Sequence, residues 1–277
     1  MSLFIASLNS GSNGNCFYIG NNTESILVDA GISCREIEKR MDRSGLLMEN
    51  VKGIFVSHEH SDHISGLSQV AKKFNLPVYI TQTTLTNSRL CLDKQVIRSF
   101  TAFEPINIGS LAITAFPKFH DASDPYSFTI SSNSVKIGVY TDIGRPCHNL
   151  VAQFSECHAA FLEANYDDKM LDSGSYPFYL KKRIRGGYGH LSNEQALDLF
   201  KAYRPPFMTH LFLSHLSKNN NCPDLLNNLF KNHSNGVKII IAPRHEETAV
   251  YHITHPNSYP NINTRPKLAS QLSFAFQ

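Results

Sequence analysis

The strongest constraint on this chain is a run of ligand-type side chains set directly after an apolar strand. Residues 55–67 read Phe-Val-Ser-His-Glu-His-Ser-Asp-His-Ile-Ser-Gly-Leu. The stretch Gly53-Ile54-Phe55-Val56 predicts a strand, and side chains at i and i+2 of an extended chain point the same way. His58 and His60 can therefore grip one cation together. Asp62 and His63 sit where the chain turns into a helix and can face a second. Imidazole and carboxylate donors suit zinc, manganese or iron. A lone histidine is more often a core or surface residue than a ligand, and the competing reading of the segment is a polar surface loop. Four ligand-type residues within six positions, at a strand end, favour the metal site.

The remaining chain reads as layered α/β. Short strands are expected at 2–8, 15–19, 25–28, 53–56 and 78–80. The middle is strand-rich, at 102–104, 110–116, 126–130 and 134–140, and strands at 159–162, 208–213 and 237–241 follow. Helical patterns fall at 33–43, 63–74, 177–184, 193–203 and 223–232. Ser192 with Gln195 three residues on makes a capping-box start. With no linker or repeat, 277 residues fit one domain spanning 1–277, with 243–277, rich in Pro and Asn, expected as a C-terminal surface tail. There is no apolar run long enough for a membrane span. The first residues lack a basic segment, so a secretory signal is not expected. The 6 cysteines have no C-x-x-C spacing, which favours free thiols in a reducing cytoplasm. The net charge of +3 is too small to imply nucleic-acid binding by itself.

The motif H-x-H-x-D-H after a strand resembles the signature of the metallo-β-lactamase superfamily. Further pieces follow in order: Ser10-Gly11-Ser12-Asn13-Gly14-Asn15-Cys16, Val28-Asp29-Ala30-Gly31, His120-Asp121, Gly189-His190-Leu191-Ser192-Asn193 and Ser214-His215-Leu216-Ser217-Lys218-Asn219-Asn220. Together they resemble the bacterial YycJ/WalJ-like branch of single-domain exonucleases and phosphodiesterases. The resemblance implies a four-layer αββα metallo-β-lactamase sandwich with two divalent ions, zinc or manganese first and iron as a further choice. It implies His58, His60, His120 and Asp142 for one ion and Asp62, His63, Asp142 and His215 for the other. Asp142 would bridge the ions, spaced about 3.5–4 Å apart as in other two-metal sites. On the residues alone, His120 also reads as a loop histidine and His215 as a strand-end histidine. Asp62 and His190 are the implied catalytic groups, His190 as proton donor to the leaving oxygen; its bland reading is a histidine at a helix start. Asp29 and Glu163 would orient ligands from behind. Tyr166 departs from the branch, where a histidine would be expected after Glu-x-Asn.

Two ions of this kind generate hydroxide near neutral pH and neutralise phosphate oxygens, but the same pair hydrolyses thioesters or β-lactams. The resemblance of 186–193 and 214–220 favours a phosphodiesterase or exodeoxyribonuclease using a metal-bridged hydroxide, with nucleic acid, DNA first, as partner. The alternative is a hydrolase of a small ester, thioester, lactone or cyclic phosphate, and a third reading is a non-catalytic metal-binding surface. Lys181, Lys182, Arg183 and Arg185 are candidate phosphate contacts, or else a solvated helix face. No basic stripe interleaved with aromatics runs along the sequence. The stretch from Asp142 to His215 is too short for the extra domain of the β-CASP ribonucleases.

Overall fold

The computed structural model describes residues 2–255. One sheet is built from β1 (Leu3–Asn9), β2 (Cys16–Gly20), β3 (Ser25–Val28), β4 (Val51–Phe55), β5 (Val78–Tyr79) and β6 (Ile97–Arg98). The other uses β7 (Ile106–Ile108), β8 (Leu111–Pro117), β9 (Tyr126–Ser132), β10 (Val135–Tyr140), β11 (Ala159–Glu163), β12 (His210–Ser214) and β13 (Lys238–Ile241), and β14 (Tyr251–Ile253) returns to the first. Their orders are β14-β1-β2-β3-β4-β5-β6 and β13-β12-β11-β10-β9-β8-β7. Each sheet is antiparallel at one side and parallel at the other, from β3 to β6 and from β10 to β13.

The two-residue alternation of strand side chains sorts the apolar residues into layers. Ile5, Phe17, Ile19 and Val28 of the first sheet meet Phe128, Ile137, Phe161 and Phe212 of the second in a central core. The opposite faces carry helices: α1 (Cys34–Arg43), α2 (Ser61–Ile64), α3 (Leu67–Phe74) and α4 (Gln82–Ser88) in the first half, and α5 (His148–Phe154), α6 (Asp168–Ser173), α7 (Phe178–Arg185), α8 (Asn193–Tyr203) and α9 (Pro223–Lys231) in the second. Leu27 and Ile54 pack under Ile37, Met41 and Val70, and Leu162 and Leu211 pack under Phe154, Phe200 and Phe230. The architecture is the expected four-layer αββα sandwich. The Ser192–Gln195 capping box opens α8 as its spacing predicts.

Three expectations fail for local reasons. The helix expected over 63–74 is interrupted at Gly66, where the chain presses against the 30–32 loop: Gly66 N donates to Ala30 O, and a Cβ there would fall 1.9 Å from Ile32 O. Residues 102–104 turn instead of pairing, with Phe103 in the left-handed region at φ 66°, and the strand forms at β7. The expected surface tail is not one throughout. Thr248 Oγ1 accepts from Ser7 N at 3.0 Å, and Leu3, Phe4 and Ile5 pair with 251–253. Residues 256–277 lie outside the described residues. All six cysteines are unpaired, and no described helix is long and apolar enough to cross a membrane.

Candidate metal centre

The parallel strands of both sheets end at one edge, the position at which open α/β sheets present ligand sites. Asp29, Asp142 and His215 follow the ends of β3, β10 and β12, and all three take left-handed backbone angles, φ 61°, 55° and 58°. Such a conformation costs about 1–3 kcal/mol at a non-glycine residue and persists where the surroundings over-determine it. Here it swings each side chain off its strand into a common cleft or against its wall.

The loop 57–63 is clamped from three directions. Asn15 N donates to Asp62 O at 2.7 Å, Ala30 N donates to His63 O at 2.9 Å, and Gly31 lies flat on Asp62, where a Cβ would sit 1.7 Å from the carbonyl oxygen. Asp29, fully buried, holds the loop's side chains from behind. Its Oδ2 accepts from His63 Nδ1 at 2.7 Å and from Ser57 Oγ at 2.8 Å. With its proton directed to Asp29, Ser57 Oγ accepts from His58 Nδ1 at 2.8 Å. His120 Nδ1 donates to Gly189 O at 3.0 Å. These bonds fix the tautomers, so that His58 and His120 turn bare Nε2 atoms inward, as metal-binding imidazoles do.

The result is a convergence of lone pairs. His60 Nδ1 lies 3.0 Å from His58 Nε2 and 3.3 Å from His120 Nε2, and a single proton shared among three nitrogens cannot satisfy them all. Asp142 Oδ2 is buried and accepts no hydrogen bond, although His63 Nε2 is 3.1 Å away. Asp62 Oδ2 is 3.6 Å from His63 Nε2 and 3.5 Å from His215 Nε2, and Asp142 Oδ1 is 3.5 Å from His215 Nδ1 and 3.8 Å from His120 Nε2. His58, His60 and His120 form one set with ligand atoms within 4.8 Å of one another; Asp62, His63 and His215 form another, and His58, His63 and Asp142 a third between them. The donor set fits divalent cations.

Electrostatics divides the centre. Burial, reinforced by the charge of His63, pushes His58 well below its ordinary value, and burial brings His120 down to about 4, so both are neutral donors. Burial would lower His63 and His215 too, but Asp142, Asp29 and Asp62 lift His63 well above normal. Asp142, Asp62 and Glu163 lift His215 to about 10. Burial opposes ionisation of Asp142, yet His215 and His63 hold it well below the carboxylate range. The second set therefore demands positive charge, from protons or from cations that displace them.

Glu163, fully buried, ties the second sheet's contribution together. Oε1 accepts from His190 Nδ1 at 2.8 Å and His215 Nδ1 at 2.9 Å, and Oε2 from Ile143 N at 2.6 Å and Leu191 N at 3.2 Å. Burial would raise its pKa, but His190 and His215 bring it to about 2. His190 lines the cleft, of about 250 Å³, with His60, Asp62, Asp142, Asn165 and His215. Tyr166 is absent from that lining. It is buried with Leu171 and Ile184, against Leu180, and props α7.

The basic run is split. Arg183 lines the cleft and its Nε donates to Asp121 Oδ2 at 2.5 Å. Arg185 is engaged by Asp172 at 2.6 Å and Asp168 at 3.3 Å, Lys181 Nζ donates to Asp172 O at 2.7 Å, and Lys182 is exposed. Carboxylates of α6 thus pair with Arg185, and Asp121 with Arg183. Sequence reasoning missed Ser57, the relay from His58 to Asp29, and Lys118, whose buried Nζ donates to Thr141 O at 2.6 Å beside Asp142. A serine immediately before H-x-H was the available signal for the first; nothing local marks the second.

A family model described as a beta-lactamase superfamily domain matches residues 24–215. The chain is 34% identical over 230 residues to the exodeoxyribonuclease YycJ of Bacillus anthracis, covering 81% of this chain and 86% of that protein. It is 31% identical to the exodeoxyribonuclease WalJ of Streptococcus pneumoniae, covering 79% and 83%. Among solved structures, the metallo-beta-lactamase fold protein YhfI from Bacillus subtilis superposes with TM-score 0.69 at 18% identity, covering 91% of this chain and 100% of that one.

Proposed function

The chain belongs to the metallo-β-lactamase superfamily, in its YycJ/WalJ branch, and from that premise we propose that it is a two-cation phosphodiesterase that removes nucleotides from nucleic-acid ends, DNA by preference, in the cytoplasm. The observation that carries the reading is the convergence of the His58, His60 and His120 nitrogens on one another, beside a buried Asp142 whose Oδ2 has no hydrogen-bond partner. His58, His60, His120 and Asp142 would hold one ion and Asp62, His63, His215 and Asp142 the other, zinc or manganese before iron. Divalent ions there would lower the pKa of water and offset the charge of a phosphodiester. The chain's own groups supply the rest. Asp29 and Glu163 keep the imidazoles in the ligating tautomer. With Nδ1 held by Glu163, His190 presents Nε2 to the cleft, where it donates a proton to the leaving oxygen. Arg183 takes a phosphate oxygen at the rim.

A panel of DNA, RNA, bis(4-nitrophenyl) phosphate and a thioester, assayed with Mn²⁺ and Zn²⁺, tests the reading. DNA cleavage is expected. His190→Ala should keep its metal and lose roughly 10²–10⁴ in kcat on DNA, with a smaller loss where 4-nitrophenolate leaves without a proton. Brisk thioester hydrolysis with no nuclease activity would overturn the assignment.

A further inference from the structure

The sequence shows no aromatic-basic stripe, but the fold assembles one from three separate loops. Phe119 immediately precedes His120, and Tyr188 lies two residues before His190. Arg145 belongs to the loop after Asp142. The guanidinium of Arg145 stacks on the Phe119 ring, 4.1 Å from its centroid, and lies 5.9 Å from that of Tyr188. The two rings meet edge to face at 5.7 Å. Close backbone contact holds the loops together. Gly144 N donates to Phe119 O at 2.7 Å, and a Cβ on Gly144 would fall 2.4 Å from Gly187 O. The His120–Gly189 bond fastens the same assembly to the metal centre.

Two features give this cluster a ligand chemistry. Tyr188 is 56% exposed, although its neighbours pin its backbone. Arg145 is exposed and, unlike Arg183 and Arg185, meets no carboxylate among the described residues. A free guanidinium set among rings, one of them exposed, suits a flat, π-faced group carried on an anionic backbone. Beside it, Phe119 walls a recess of about 360 Å³ together with Lys118, Cys147, His148 and Asn149, so an inserted ring has space to occupy.

We propose that Phe119, Arg145 and Tyr188 form a stacking platform for an unpaired nucleobase next to the scissile phosphate, with Arg145 also contacting the backbone. The proposal rests on the nuclease reading and makes a frayed or single-stranded end the form of substrate the cleft accepts. Stacking of this kind tolerates any base, because every base has a π-face.

The test is binding of a short phosphorothioate-linked oligonucleotide to the metal-loaded protein, by fluorescence anisotropy, with and without the two terminal bases. Tyr188→Ala should raise Kd about tenfold for the intact strand, Tyr188→Phe should stay near wild type, and the Tyr188→Ala penalty should collapse when the terminal bases are missing. An equal penalty with and without the bases overturns the platform, as does a wild type that binds no DNA. Cleavage of ordinary DNA by the same preparation separates the two claims. Binding that depends on the bases without cleavage removes the nuclease reading and leaves the platform. Cleavage with binding indifferent to the bases removes the platform alone.

Discussion

The two halves of the molecule build their shares of the centre differently. The first sheet contributes one loop: His58, His60, Asp62 and His63 all hang from residues 57–63, and Asn15, Ala30 and Gly31 hold that loop at its backbone. The second contributes separate strand ends and loops, His120, Asp142, Glu163, His190 and His215, joined through side chains, above all the Glu163 carboxylate. A fault in the backbone clamp should disturb every ligand of the first half together. A fault in the second half should be confined to what the altered side chain touches.

Gly31→Ala is the hardest blow to that contrast. Its Cβ would overlap a backbone carbonyl, which cannot rotate away as a side chain can. Overpacking of this kind costs about 3 kcal/mol, or roughly 6–12 °C in Tm for a chain of this size, and both metal sets should empty. A variant that melts normally with full metal content would show that the loop does not depend on the clamp. Glu163→Gln should be milder and one-sided. Losing the carboxylate behind His215 and His190 should weaken metal affinity at the Asp62–His63–His215 set by roughly 10–100-fold, leaving the His58–His60–His120 set filled; metal titration followed by mass spectrometry reads both.

The rim sharpens the comparison further. Arg183→Ala should weaken DNA binding and reduce its salt slope by about one phosphate contact. Arg185→Ala should change neither, because it lies outside the cleft lining and is held by Asp168 and Asp172. Equal effects would restore the undivided basic surface expected from the sequence. The smallest effect concerns the clip between the halves away from the centre. Glu24, in the β2–β3 turn, accepts from Ser110 N and Oγ, both at 2.8 Å, across to the turn before β8. Hydrogen bonds from Thr23, Asn21 and Ser110 lower its pKa to about 2 from 4.5. The stabilisation is therefore complete above about pH 4.5 and is lost as the pH falls through 2. Glu24→Gln should flatten the stability profile across that acid window, slightly less stable than wild type at neutral pH and equal to it below about pH 2; an unchanged profile would remove the clip.

The same contrast explains what the sequence disclosed. The first half was legible because its candidate ligands lie within six residues after a strand, where the two-residue period brings His58 and His60 to one side and α2 carries Asp62 and His63. His120, Asp142 and His215 carry no such local pattern. They meet because β8, β10 and β12 end at one edge, and family resemblance was the route to them. Arg145 and Tyr188 stayed hidden for the same reason, since their partnership exists only once Gly144 and Gly187 touch. The run 181–185 shows the opposite case. Its charges are contiguous in sequence, but Asp168 and Asp172 of α6 answer part of them and Asp121 another.

The central claim is that both halves together hold two cations, and metal content measured against His215→Ala tests it most directly. Protein purified without chelator should carry close to two divalent ions per chain by elemental analysis. His215→Ala should fall to about one, because the Asp62–His63–His215 set would lose its contribution from the second sheet while the three-histidine set stays whole. A wild type fixed at one ion, with His215→Ala unchanged from it, would contradict the account.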